Sequence, residues 1–310
     1  MRILIAGGSG LIGSRLSALL TEDGDEVTIL SRNPDKVRGL LAGVRVFEWD
    51  GKSVQAWGSE INKMDAVVNL TGENLSGKGI FPTRWTEERK QLLRSSRVNS
   101  GKVLSEAIEI ASHKPSVLVQ ASGIGFYQPN QPKALTEADG GGSDFMSDLS
   151  KEWEASSAPV EKLGVRRVVV RNGMVLSTKK GALRPLLLQY KLFAGGPLGS
   201  GNQIYSWIHI DDEADGIRFL IRNEGANGAF NLTAPNPVSN DEFGRTIAKV
   251  MRRPHYFPIP GFAMHLAFGE VATMVLEGHK VLPQKLLESG YVFRYPTLEE
   301  AMRNLLMSKS

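Results

Sequence analysis

The chain has 310 residues, 41% of them apolar and 23% charged, with 37 Lys and Arg against 33 Asp and Glu, a net charge of +4. That length can bury a large core in one domain or two unequal ones, and the lack of cysteine excludes a disulfide framework, a thiolate nucleophile and a Cys-based zinc site. No apolar run reaches the roughly 18 residues of a membrane span, the five histidines lack metal-ligand spacing, and the cations are interleaved with acids, so neither membrane, metal nor nucleic acid is expected as a partner.

The first residues enter a strand at once, with no basic leader, and a cytoplasmic location is the expectation. Apolar runs rich in Val, Ile and Leu follow at 2–6 (RILIA), 26–30 (EVTIL), 44–49 (VRVFEW), 65–70 (DAVVNL), 116–121 (SVLVQA) and 165–170 (VRRVVV). Each is short enough for a strand buried on both faces. Helix-period segments lie between them: 11–20, with Leu11, Ile12, Leu16, Leu19 and Leu20 on one face; 86–112; and 145–157, which gathers Phe145, Met146, Leu149 and Trp153. The alternation predicts an α/β fold, a Rossmann-type doubly wound parallel sheet covered by helices.

After residue 176 the rhythm changes. Glycines and prolines crowd 181–202, Asp212 reads as the N-cap of a helix beginning at Glu213, GAFNL at 228–232 reads as a further strand, and helical patterns lie near 240–251, 262–276 and 297–306. The expected division is a dinucleotide-binding domain at 1–176, to which 203–235 returns, and a smaller α/β substrate lobe from 177–202 and 236–310. AGGPLGSGNQ (194–203) suits a flexible rim over the cleft between them. Trp85, Trp153 and Trp207 read as core or cleft-wall aromatics.

Within GGSGLIG, Gly7, Gly10 and Gly13 sit between a predicted strand and a predicted helix, the context in which such glycines carry meaning. The first allows a tight turn, the second a close backbone approach to a pyrophosphate, and the third close packing of helix on strand. Ser9, Leu11 and Ile12 complete the turn and the helix N-terminus, which attracts negative charge. No GK[ST] follows, which argues against a nucleoside triphosphatase loop. An NAD site places an acid about 20 residues past the loop, at the end of the second strand. Here that position holds Ser31 and Arg32. A guanidinium suits a ribose 2′-phosphate, a charge-assisted contact of about 1.5–3 kcal/mol, so NADP(H) is the expected cofactor.

The GGSGLIG spacing resembles the extended short-chain dehydrogenase/reductase superfamily. Further segments, VVNLTGENL (67–75), RSSRVNSGKVL (94–104), VQASGIGFYQ (119–128), RNGMVLS (171–177), NLTAPNPVSNDEF (231–243) and LEGHKVLPQKLLESGYVFRYP (276–296), resemble its atypical branch of epimerase family proteins, nearly end to end. The resemblance implies a seven-stranded Rossmann domain holding NADP(H) under a small C-terminal lobe. It also implies that Leu70, Thr71 and Gly72 line the adenine ribose, that Arg97 approaches the cofactor and that Val175 sits near the nicotinamide. For Arg97 the residues alone leave a solvated basic helix face equally open. Pairing through the helix at 86–112, as in many relatives, makes a homodimer the expectation.

Working members of that superfamily use a tyrosine four residues before a lysine, because the ammonium brings the phenol pKa down from about 10 toward the working range. None of the six tyrosines here has a lysine four positions on, and Lys151 is preceded at that spacing by Ser147, whose hydroxyl is far less acidic. The remaining catalytic candidates are Ser122, for a substrate carbonyl or hydroxyl, Tyr127, for proton transfer if it turns inward, and Lys151, for the nicotinamide ribose. His209 alternates with apolar neighbours and reads as hydrogen-bonded structure. The expected function is an NADP(H)-binding oxidoreductase or epimerase-like protein acting on a small hydroxyl- or carbonyl-bearing substrate. The alternative is a non-catalytic NADPH-binding regulator or sensor.

Overall fold

The computed structural model describes residues 1–38, 43–77, 79 and 81–307; residues 308–310 of the expected lobe lie outside them. Seven strands form one parallel sheet: β1 (Arg2–Ala6), β2 (Glu26–Ser31), β3 (Arg45–Glu48), β4 (Ala66–Asn69), β5 (Val117–Gly123), β6 (Arg166–Asn172) and, after three short strands elsewhere, β10 (Gly228–Leu232), in the order β10-β6-β5-β4-β1-β2-β3. The central strands β1 and β4 are buried almost throughout, as expected where helices cover both faces. One face packs Ile3, Ile5, Val68 and Val119 against α1 (Leu11–Glu22) and α6 (Ile210–Arg222); the other packs Leu4, Val67 and Leu118 against Leu104 and Ile108 of α3 (Glu87–Ile110). Helices α2 (Pro34–Arg38) and α4 (Phe145–Ala155) complete this part.

The strand order reverses between β1 and β4, so the loops leaving those two strands diverge and open a crevice at the carboxyl edge of the sheet. Register aligns that edge: Ala6 pairs with Leu30 and Asn69, and Gly123 with Asn172.

The second hydrophobic centre belongs to a smaller lobe built from α5 (Leu183–Lys191), α7 (Asn240–Met251) and α11 (Leu298–Met307), where Leu187 and Tyr190 meet Phe243, Ile247 and Met302. Its strands are short: β7 (Met174–Leu176) pairs with β9 (Trp207–His209), and β8 (Ile204–Tyr205) with β11 (Val238–Ser239). The helical pattern at 262–276 is broken into α8 (Gly261–Phe268) and α9 (Thr273–Leu276) by Gly269, whose φ of +67° ends the first helix. A short helix α10 (Gln284–Glu288) precedes the final turn.

Asp212 is not an N-cap. Helix α6 begins at Ile210, and His209 caps it, its Nδ1 accepting from the Asp211 N–H at 3.0 Å. The buried Asp212 carboxylate instead accepts the backbone N–H groups of Arg294 (2.7 Å) and Tyr295 (2.9 Å), tying the C-terminal segment to the sheet domain. The 194–203 run is also held rather than free: Gly195 O accepts from both Tyr256 N and Phe257 N, and Leu198 N donates to Asn240 Oδ1 at 2.8 Å.

Candidate functional site

The crevice is built from the glycine turn upward. Gly7 has a φ of +84°, and a Cβ there would stand 2.8 Å from the carbonyl of Leu70, so the two diverging loops touch only because residue 7 lacks a side chain. A Cβ on Gly13 would lie 2.5 Å from Gly7 O and 2.7 Å from Gly8 Cα, which fixes how closely α1 can follow β1. Helix α1 starts at Leu11 behind Gly10, which offers no side-chain cap, and its first turn contains no acid. By contrast Thr86, Asp144 and Ser239 cap α3, α4 and α7. The first N–H groups of α1 are therefore open to an external anion.

The opposite wall is the turn after β4. Asn69 is fully buried, donates to Gln120 Oε1 at 2.9 Å and accepts from the Thr71 hydroxyl at 2.6 Å, which sets the direction of the chain as it leaves the sheet. The turn is then fastened to α3: Ser96 Oγ accepts from Glu73 N at 3.0 Å, and Arg97 Nη2 donates to Glu73 O at 3.0 Å. Arg97 lies beneath the turn, its guanidinium about 3.1–3.3 Å from where a Gly72 Cβ would stand, stacked over Trp153 and bonded to Leu93 O. Burial pushes its pKa down to about 10, still cationic at neutral pH. Arg97 thus shapes the wall from behind and does not line the crevice.

At the far end, Ser31 and Arg32 leave β2 beside Trp49, Asp50 and Lys52, because Ser31 pairs with Glu48 and Trp49 N donates to Ser31 O at 3.0 Å. The Arg32 side chain is 78% exposed, and its Nη2 approaches Glu73 Oε2 only to 4.0 Å. The cleft brings together Gly7, Ser9, Ser31, Arg32 and Thr71 of the residues singled out by sequence. It also uses Trp49, Lys52 and Asn99, which sequence reasoning missed. The signal was available: the turn after the third strand must lie beside the end of the second, and Lys52 adds a second cation there. Val175 lies on β7, its carbonyl 3.7 Å from a Cβ at Gly181, which would also stand 3.2 Å from Leu11 Cδ2. That puts Val175 near the start of α1.

The catalytic candidates fare differently. Tyr127 is fully buried; its hydroxyl donates to Asn231 Oδ1 (2.8 Å) and accepts from Arg171 Nη1 (2.9 Å), and burial raises its pKa further from the working range. Its hydroxyl is thus held inside the core between Arg171 and Asn231. Ser122 is buried: its hydroxyl donates to Glu154 Oε1 at 2.7 Å, and that carboxylate is also clasped by Arg171 Nε (2.9 Å) and Nη2 (3.0 Å). Lys151 donates to Gly142 O and faces Asp148 at 3.5 Å, while Ser147, in the position of the missing phenol, is fully buried with its hydroxyl 3.5 Å from Tyr127 O. No serine-for-tyrosine relay can run through that hydroxyl. His209 is buried, bonded to Asn304 Oδ1, and its pKa is lowered to about 4 by burial, so it is a neutral structural group.

Comparison with known proteins now bears on these features. Residues 3–233 match the model of the NAD dependent epimerase/dehydratase family, and residues 259–305 match a domain of unknown function, DUF1731. The chain belongs to the NAD-dependent epimerase/dehydratase family. Among curated relatives, the epimerase family protein YfhF of Bacillus subtilis is 37% identical over 310 residues, covering 100% of this chain and 99% of its own. Among solved structures, the human epimerase family protein SDR39U1 (isoform 2), determined with NADPH, superposes with a TM-score of 0.88 at 34% identity, each chain covered in full. The UDP-glucose 4-epimerase of Thermus thermophilus, solved with NAD, shares the fold with a TM-score of 0.77 at 17% identity over 97% of each chain. The resemblance read from the motifs, including the separate C-terminal segment, therefore holds. Among the described residues no cluster of metal-ligating side chains occurs, and no helix is long and apolar enough to cross a membrane.

Proposed function

We propose that the crevice binds NADP(H) and that the chain is an oxidoreductase or epimerase-like member of its family, acting on a small carbonyl- or hydroxyl-bearing substrate. The observation that carries this reading is the exposed Arg32 at the end of β2, where an NAD site needs an acid, above an uncapped helix N-terminus. The fit is chemical as well as spatial. The N–H groups of Ser9, Leu11 and Ile12 receive the pyrophosphate, while Gly10, whose own N–H closes the turn onto Gly7 O at 2.9 Å, keeps the approach open with Gly7 and Gly13. Ser31 and Arg32, with Lys52, receive the 2′-phosphate. Leu70, Thr71 and Gly72 line the opposite wall, held by Arg97, and Val175 flanks the nicotinamide end. The NADPH in the human relative supports the phosphorylated form.

When bound, the nicotinamide supplies or accepts a hydride. The chain's own part in that reading is to bind, orient and exclude water: the apolar Val175 and Leu11 shield the ring, and Arg32 and the α1 N-terminus fix the other end. The proton partner is not Tyr127 or Ser122, both committed to the buried Arg171 and Glu154 network. The test is anaerobic incubation with NADPH and a panel of aldehydes, ketones and sugars, following absorbance of the reduced ring. Turnover of any member supports an enzyme; stoichiometric binding with no oxidation by the whole panel favours the sensor.

A further inference from the structure

Basic residues are not evenly spread over the fold. Residues 172–210 and 243–269, which build much of the smaller lobe, hold eight of the 37 Lys and Arg and none of the 33 acids, so the rest of the chain is net negative. The two stretches lie side by side: Gly195 O accepts from Tyr256 N and Phe257 N, Gly199 N donates to Ile259 O at 2.9 Å, and the Arg253 guanidinium stacks over Phe193 at 4.3 Å.

Along this seam large apolar side chains face outward. Leu192 and Phe193 adjoin Tyr256 and Phe257, and Tyr256 is 79% exposed. Helix α8 continues the strip: Phe262 and Leu266, one turn apart, are each 76% exposed, and the helix is apolar apart from His265 yet buries no residue. A helix of that composition ordinarily belongs in a core, and an exposed apolar patch of this kind marks an interaction surface. Lys191, Arg252 and Arg253 edge the strip, and among the described residues none of them is paired with a carboxylate.

We propose that this face docks the molecule on an anionic lipid bilayer. Aromatic and leucine side chains flanked by Lys and Arg match the apolar and charged layers of such an interface. A second copy of the chain is disfavoured by charge, since in a two-fold contact the same face supplies both sides, and residues 172–210 and 243–269 hold no carboxylate to receive Lys191, Arg252 and Arg253. Nucleic acid is disfavoured because the rings of Phe193, Tyr256, Phe257 and Phe262 are interleaved with Leu192, Ile259 and Leu266, and the cations edge the strip in place of forming a track for a phosphate backbone. The surface also adjoins the cleft: the nine-residue helix α5 starts two residues after Gly181, which neighbours Leu11 and Val175, and ends at Lys191.

Sedimentation of the full chain with extruded vesicles tests this. The expected result is binding to vesicles of phosphatidylcholine with about 30 mol% phosphatidylglycerol, weak binding to phosphatidylcholine alone, and a fall as salt rises from about 50 to about 300 mM. Each cation at an anionic leaflet is worth roughly fivefold in partition, so Arg252→Glu with Arg253→Glu should weaken binding by about 30-fold or more. The exposed set Phe193→Ser, Phe262→Ser and Leu266→Ser should weaken it independently, with thermal melts unchanged in both variants. Failure to bind anionic vesicles at low salt, or binding by both variants as strong as that of the unaltered chain, overturns the inference. So does a concentration-dependent dimer abolished by the same substitutions, or capture of a DNA or RNA oligonucleotide in place of vesicles.

Discussion

Tyr127 and Ser122 carry the residue types that chemistry needs, yet their hydroxyls are already spent. The Tyr127 phenol joins Arg171 to Asn231, and the Ser122 hydroxyl extends the pair of Arg171 with Glu154. Removing the phenol leaves an Arg donor and an amide acceptor buried without it, which costs about 1–3 kcal/mol. Tyr127→Phe is therefore expected to lower stability by that amount in urea denaturation while leaving NADPH affinity unchanged; a lost turnover with unchanged stability would reverse the assignment. Glu213 is the contrasting case: fully buried in the first turn of α6, with neither carboxylate oxygen partnered. Burial raises its pKa well above the ordinary 4.5. The folded state thus holds a proton that the unfolded chain releases, so this group's contribution declines as pH rises above about 4.5. The decline approaches 1.4 kcal/mol for each pH unit until the folded pKa is reached. Glu213→Gln should flatten that slope, and melts between pH 5 and 8 that fall equally in both proteins would contradict it.

At the scale of elements, the glycine turn determines whether the cleft exists. Gly13→Ala puts a methyl 2.5 Å from Gly7 O, which forces α1 off β1. NADPH affinity should drop at least tenfold by fluorescence titration, with a lowered melting temperature; an unaltered affinity would show that the turn tolerates the shift. The sheet strands were legible because a strand covered on both faces must be a continuous Val, Ile and Leu run, as in β1 and β4. Strands of two or three residues, such as β8 and β9, have too few positions to show a period. The cap of α6 was misread because Asp212 has the favoured chemistry but points to Arg294 and Tyr295, while His209 reaches the free N–H. Gly269 was overlooked as a break because the residues on both sides remain apolar. In the site, Arg32 was legible from sequence because its position at a strand end fixes its surroundings. That the Ser122 hydroxyl meets Glu154 depends on strand pleat and on where α4 lies, and could not be read from spacing.

Across the whole molecule, two lobes share one chain by repeated crossing: β10 returns to the sheet, and the 278–282 segment bonds to Asn130 and Leu135 of the larger domain. A ligand held between the β1 and β4 loops and flanked by residues near Val175 and Gly181 therefore stabilises the native state as a unit. At a hundredfold excess over its dissociation constant, that linkage is worth about 2.7 kcal/mol. The central claim is that Arg32 makes this ligand the phosphorylated dinucleotide. The most direct measurement is calorimetric titration of the native chain and of Arg32→Ala with NADPH and with NADH. The expected result is a preference for NADPH of about ten- to a hundredfold that disappears in Arg32→Ala, while NADH affinity stays the same. Equal affinities in the native chain, or a preference that survives the substitution, would contradict it.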